Sequence, residues 1–251
     1  MSEGASCQLT NVHGVNIVNC YITHCQMSVN PDFFGRSNYH HGDLRRALLD
    51  AAFKVLQKGN ENDLGVRELA RQVGVTPTAV YRHFSNKEAL LVALAADGFR
   101  RLTDIQAAAY AAAKRQGSSD LDAFRAGGLA YIRFARAQPG MFRLMFGRFA
   151  NEHRNHEALA VASRENGEIT MTAVRKLLGE RAEERDLLGN WISAWSVIHG
   201  LSVLLIDGHL DAVTMDDDAL FALVLDCAIN GLHAASMGTI RGGENSLNRD
   251  H

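Results

Sequence analysis

The sequence predicts an all-α protein, with a small N-terminal three-helix unit joined by one long helix to a larger helical domain. Three observations carry this. Apolar residues recur at i, i+3, i+4 and i+7 through most of the chain, and no segment alternates convincingly with a period of two. Only three prolines and 7% aromatic residues occur in 251 positions, which argues against a many-turned β-sandwich. A hydrophobic content of 47% with 22% charged residues suits a globular chain with a substantial core and excludes wholesale disorder.

Residues 1–37 show no sustained periodicity and are expected to be a flexible N-terminal tail; the composition change near Gly35-Arg36-Ser37 makes Met27 a candidate start. From Asp43, Leu44, Ala47, Leu48, Ala51, Ala52 and Val55 line one face of a first helix ending near Lys58-Gly59. Val66, Leu69, Ala70 and Val73 repeat the spacing over two turns, and Gly74 sits where a positive φ would end that helix. A third helix is expected over Thr76 to Phe84. Thr76 suits the N-cap, Pro77 the first helical position, and Val75 with Val80 a hydrophobic staple. Ser85-Asn86-Lys87-Glu88 reads as a capping box opening a long fourth helix to about Ala113.

Further helices are expected over Leu121–Ala137, Met141–Phe149, His153–Leu178, Leu187–Ile206 and Ala219–Ala235, with Arg241–His251 as a frayed end. The domains are thus 38–90, 91–238 and a flexible C-terminal tail over 239–251. Leu187 to Ile206 is uncharged over twenty residues, the length a bilayer crossing needs. Recurrent Asn190, Ser193, Ser196, His199 and Ser202, with acidic flanks at Asp186 and Asp207, favour a helix buried on two sides within a protein and no membrane partner. Cys7, Cys20, Cys25 and Cys227 form no CxxC pair, and no secretory signal opens the chain; a reducing cytoplasm fits.

Two short helices joined by a Gly-containing turn have the dimensions of a helix-turn-helix, whose second helix enters the DNA major groove. With Val80 and Phe84 facing the core, Thr76, Thr78, Ala79, Tyr81, Arg82 and His83 face outward. Net charge over the whole chain is −2, but residues 36–90 hold nine Lys or Arg against six Asp or Glu. Arg36, Arg45, Arg46, Arg67, Arg71, Arg82 and Lys87 could neutralise phosphates, and Lys87 lies in the first turn of the fourth helix, where free amides also favour an anion.

The segment Gly65-Val-Arg-Glu-Leu-Ala-Arg-Gln-Val-Gly-Val-Thr-Pro-Thr-Ala-Val-Tyr-Arg-His-Phe-Ser-Asn-Lys-Glu-Ala-Leu90 resembles the TetR family of one-component bacterial transcriptional regulators. Tyr39-His40-His41-Gly42-Asp43-Leu44-Arg45 is similar to one branch of it, and motif coverage runs from about 39 to 95. The resemblance implies phosphate contacts from Tyr81 and Lys87, and base or backbone contacts from Thr76, Thr78, Arg82 and His83. Gly65 departs from the family, which usually caps the second helix with Ser or Thr, leaving Glu68 without a capping-box partner. Gln138-Pro-Gly-Met-Phe-Arg-Leu-Met-Phe146 and the Trp-x3-His-Gly motif at Trp195–Gly200 resemble TetR-type ligand-binding domains, implying an all-helical effector domain that also dimerises. The two most apolar segments, 187–206 and 219–235, carry more apolar surface than a monomer's core needs and so predict a four-helix homodimer interface.

Phe142, Met145, Phe146, Phe149, Met171, Trp191, Trp195 and His199 are candidates to line a pocket for an apolar or aromatic effector, against ordinary core packing for each singly. Glu152, His153, His156 and Glu157 are read as a solvated helix face rather than a metal site, and His13, Cys20, His24 and Cys25 match no zinc spacing. With no GxSxG, GxxxxGK[ST], HExxH or strand-borne GxGxxG, the chain is expected not to be an enzyme, and no cofactor is called for. The expected function is a repressor released from a palindromic operator by a small effector; the alternative is a constitutive architectural DNA binder.

Overall fold

A computed structural model describes residues 9–12, 15–18, 41–59, 61–179, 182–215 and 218–228. Residues 1–39 form one compact unit and 40–251 another. In the first, β1 (Leu9–Val12) and β2 (Val15–Val18) pair antiparallel, with Leu9 opposite Val18 and Val12 opposite Val15. The sequence singles out neither segment. Both segments are rich in β-branched residues, but four residues are too few for a period of two to stand out in sequence. The rest of the tail, including His24, Cys20, Cys25, Met27 and Arg36, lies outside the described residues, as do residues 239–251.

The second unit is helical: α1 (His41–Lys58), α2 (Val66–Val73), α3 (Pro77–Tyr81), α4 (Lys87–Arg115), α5 (Asp120–Ala137), α6 (Pro139–Phe146), α7 (Arg148–Glu152), α8 (Glu157–Leu178), α9 (Glu184–Ile206) and α10 over 218–228. The expected turn chemistry is present where α2 meets α3. Gly74 has φ 76°, its N–H bonds the Arg71 carbonyl at 3.2 Å, and Val75 N–H bonds the Ala70 carbonyl at 2.9 Å, the paired bonds of a Schellman motif. Thr76 Oγ1 accepts from Ala79 N–H at 3.3 Å with Pro77 following. The helix ends at Tyr81, short of the expected Phe84, and Arg82-His83 turn the chain so that Phe84 is buried.

Three boundaries differ from expectation for identifiable reasons. The N-cap of α4 is Asn86, whose Oδ1 accepts from Ala89 N–H at 2.7 Å, so Ser85 and Glu88 form no capping box. The segment 141–149 is two helices, because Gly147 is extended and its position abuts the Arg143 carbonyl too closely for any Cβ. Helix α8 starts at Glu157 rather than His153, after a turn over 153–156.

One hydrophobic core runs from Leu48 and Leu56 of α1 through Leu69 of α2, Val80 of α3 and Leu90 to Leu102 of α4, to Ile132, Phe142, Ile198 and Phe221. Helix α4 is its axis, with ten consecutive buried residues from Leu90 to Phe99. Helix α6 wedges between α1 and α4. At Gly140 a Cβ would collide with the Leu56 and Gly59 carbonyls, and at Gly98 it would meet Met145 Sδ at 2.7 Å and Met141 Sδ at 2.8 Å. Arg101 ties the same helices together by pairing with Asp50 of α1 and with the buried Asp97 at 2.6 Å.

Helix α9 is the described helix long and apolar enough to cross a membrane, yet only 17% of its most apolar window is buried. The expectation of burial on two sides fails within one chain. Leu187, Ile198, Leu201 and Ser202 are buried, while Leu188, Ile192, Trp195 and Leu204 are exposed. Leu188 and Ile192 lie one turn apart on one face, an apolar strip that a single copy leaves uncovered.

Candidate nucleic-acid interface and ligand cavity

The α2-turn-α3 unit presents a polar outer surface because its apolar residues are committed inward. Leu69, Ala70 and Val80 are buried, while Arg67, Thr76, Thr78, Tyr81 and Arg82 are exposed and Ala79 and His83 are half-buried. Tyr81 is 51% exposed, an unusual position for a ring with no folding role on that side. Arg45 of α1 lies over the Phe84 ring at 5.2 Å, which leans its guanidinium toward the α3 end. Lys87, in the first turn of α4, is half-buried and reaches the Asn62 carbonyl at 3.5 Å. Arg71 is less free than the sequence suggested. It makes a bidentate pair with Glu68 at 2.6 and 2.8 Å, and that pair holds the Glu68 carboxyl down at about 2. The uncapped start at Gly65 thus leaves Glu68 to partner Arg71 and Gln72.

A cavity of about 1000 Å3 opens among α4, α5, α8 and α9, at the upper end of the range for small-molecule sites. Met145, Phe146, Met171, Trp191, Trp195 and His199 line it. Phe142 and Phe149 do not. Phe142 is buried one layer behind, stacked on His199 at 5.2 Å, and Phe149 stacks on His153 at 4.2 Å outside the cavity.

The wall is largely aromatic. Trp191 and Trp195 stack nearly parallel with centroids 6.1 Å apart, and Phe99 meets Phe146 edge to face at 5.0 Å. Tyr131 and His199 Nδ1 hydrogen-bond at 2.9 Å. Burial pushes the Tyr131 phenol well above its ordinary value and His199 below its own, so both are neutral near pH 7. Trp191 Nε1 donates to Thr170 Oγ1 at 2.8 Å.

Several lining residues carried no sequence signal of their own. Gln106 and Asn166 fall on the inner faces of α4 and α8 and are buried. Gly127 and Gly128, side by side in α5, also line it; a Cβ at Gly128 would press on Ile198 Cδ1 at 3.2 Å. An adjacent glycine pair inside a helical pattern was the available clue, since glycine in a helix costs about 1 kcal/mol without a packing reason. Among the described residues no three His, Cys, Asp or Glu side chains gather as a metal site. His153 instead bonds the Phe149 carbonyl at 2.8 Å and Glu88 Oε1 at 2.9 Å.

Comparison with known proteins matches both halves of the chain. Residues 48–94 match the family described as bacterial regulatory proteins, tetR family, and residues 124–228 the tetracyclin repressor-like C-terminal domain. An uncharacterised HTH-type transcriptional regulator of Haemophilus influenzae is 49% identical over 47 residues, 18% of this chain and 23% of that protein. The chain thus aligns with under a quarter of that relative's length. A structure of a protein of unknown function from Rhodococcus sp. RHA1 is 31% identical, covering 77% of this chain and 97% of the other, with a TM-score of 0.63. A TetR family regulator, PfmR of Thermus thermophilus, shares the fold at 18% identity and a TM-score of 0.53, over 74% and 97% of the two chains.

Proposed function

Because the chain belongs to the TetR family of bacterial transcriptional regulators, we propose that it is a cytoplasmic homodimeric repressor, released from a palindromic operator by a small apolar or aromatic effector. The observation that carries the reading is the course of α4. One uninterrupted helix bears Lys87 in its first turn, beside the polar outer surface of α3, and Phe99, Gln106 and Tyr110 on the cavity wall. Any effector that alters the lean of α4 alters the placing of the head.

Two heads related by a twofold axis would address half-sites about 34–36 Å apart, or further where the half-sites are spaced wider. In this reading Thr76, Thr78, Ala79, Arg82 and His83 meet base edges or backbone, and Arg45, Arg67, Tyr81 and Lys87 hold phosphates. The exposed Leu188 and Ile192 support a partner copy packing on α9, with α10 beside it. The effector binds the splayed-head state more tightly and draws the population from the DNA-competent one.

Selection of bound duplexes from a random pool, followed by competition with random duplex, tests the reading. A repressor yields one palindromic consensus whose affinity falls when a cavity-binding compound is added. Affinity indifferent to every cavity-binding compound would leave a constitutive binder instead.

A further inference from the structure

The polar chemistry of the cavity restricts what can occupy its depth, and this deepens the effector reading above, on which it rests. Four charged residues reach the lining, Arg154, Arg164, Glu168 and Lys176, and all are exposed at the edge. Arg164 is already 3.7 Å from Glu168, and Lys176 lies over the Tyr110 ring at 5.4 Å. Deeper in, the polar groups are neutral.

Among the lining residues, Gln106 of α4 and Asn166 of α8 are buried, at 7% and 8% exposed. Asn166 Nδ2 spends both hydrogens, on Thr103 Oγ1 at 2.9 Å and Gln106 Oε1 at 3.1 Å. That leaves the Gln106 Nε2 amino group and Asn166 Oδ1 without partners among the described residues. Both residues line the cavity. Reversing the amide orientations changes which residue offers which, but a single amide-to-amide bond always leaves a donor and an acceptor over. Buried groups of this kind cost free energy until something pairs them, and a formal charge brought to the same depth would find no counter-charge.

We propose that the effector is a neutral, largely aromatic compound with one group that both donates and accepts a hydrogen bond, such as a carboxamide or lactam, seated between Gln106 and Asn166. The aromatic walls at Trp191, Trp195 and Phe146 take its apolar body.

Calorimetric titration of the intact protein tests this, with the carboxamide, carboxylate and aminomethyl derivatives of biphenyl and of naphthalene, beside the parent hydrocarbons. The carboxamides are expected to bind at least about tenfold tighter than either charged counterpart, because a site built for hydrogen bonding rejects what leaves it unpaired. Gln106→Leu or Asn166→Leu should remove the carboxamide's advantage over the parent hydrocarbon. The near-isosteric Gln106→Glu should shift preference toward the aminomethyl compounds, and unfolding midpoints confirm that each variant is folded. Equal or tighter binding of the charged compounds, carboxamide binding indifferent to all three substitutions, or no binding by any member would overturn the inference. Operator affinity measured alongside separates the two readings. A carboxamide that binds as expected yet leaves the duplex bound refutes regulation alone, and a carboxylate that binds and releases the duplex refutes the neutral-effector inference alone.

Discussion

His153 Nε2 lies 2.9 Å from Glu88 Oε1, joining the turn before α8 to the first turn of α4, one residue from Lys87. The imidazole's other nitrogen faces the Phe149 carbonyl at 2.8 Å. With acceptors at both nitrogens, the ring satisfies both only as the imidazolium, and the Phe149 carbonyl, with Glu88 adding to it, raises its pKa. The contact is a clasp between the head's side of α4 and the cavity's α7–α8 wall.

The clasp should titrate. Because the folded-state value is raised above the ordinary histidine value of about 6.5, its stabilisation is complete below that value and is lost as pH rises through the raised one. Glu88 is largely exposed, so the effect is under about 1 kcal/mol. Thermal unfolding midpoints followed from about pH 5.5 to about pH 8.5, bracketing the ordinary value, should fall more for the natural chain than for His153→Gln. Parallel profiles would show that the clasp carries no linkage.

Phosphate and base contacts separate by substitution. Lys87→Ala should weaken all duplexes alike and reduce the salt slope by about 1, and Tyr81→Ala should weaken them alike. Arg82→Ala or Thr78→Ala should cost about 1–3 kcal/mol on the selected operator and relax preference at single positions. Fluorescence anisotropy at several salt concentrations distinguishes the patterns; the reverse assignment would misplace the reading face.

Gly140→Ala should destabilise more than Gly98→Ala. The first drives a methyl into the fixed Leu56 and Gly59 carbonyls, whereas the second meets methionine sulfurs that can rotate away. Overpacking of the first kind costs about 1–3 kcal/mol, and urea midpoints will show the order. Equal losses would mean that α6 is free to slide off α1.

Ile192→Glu puts a charge beside Leu188 on the uncovered face of α9, where the residue is 44% exposed. In a monomer the change is nearly neutral, but at a subunit interface it buries an unpaired carboxylate. Sedimentation velocity should give a dimer for the natural chain and a monomer for the variant. A dimer that survives the substitution places the partner elsewhere.

Much of the head was legible because its signals are local. Gly74, Thr76 and Pro77 each do one thing at one turn, and each is found doing it. The start of α4 misled because Ser85 and Asn86 are both competent caps, and only the fold's geometry selects Asn86. The cavity was half legible. Trp191, Trp195 and His199 announce themselves by size and polarity, but Gln106 and Asn166 are ordinary residues whose inward aim depends on how α4 meets α8. Phe142 and Phe149 were misplaced for a related reason. The break at Gly147 rotates one away from the other, and neither ends on the wall.

The sequence holds two tryptophans, and both stand in the cavity wall one helical turn apart. Light absorbed at the red edge of the protein's spectrum is therefore emitted from the cavity itself. Any molecule that settles there changes the colour or brightness of that emission. The chain carries its own unlabelled optical gauge of occupancy.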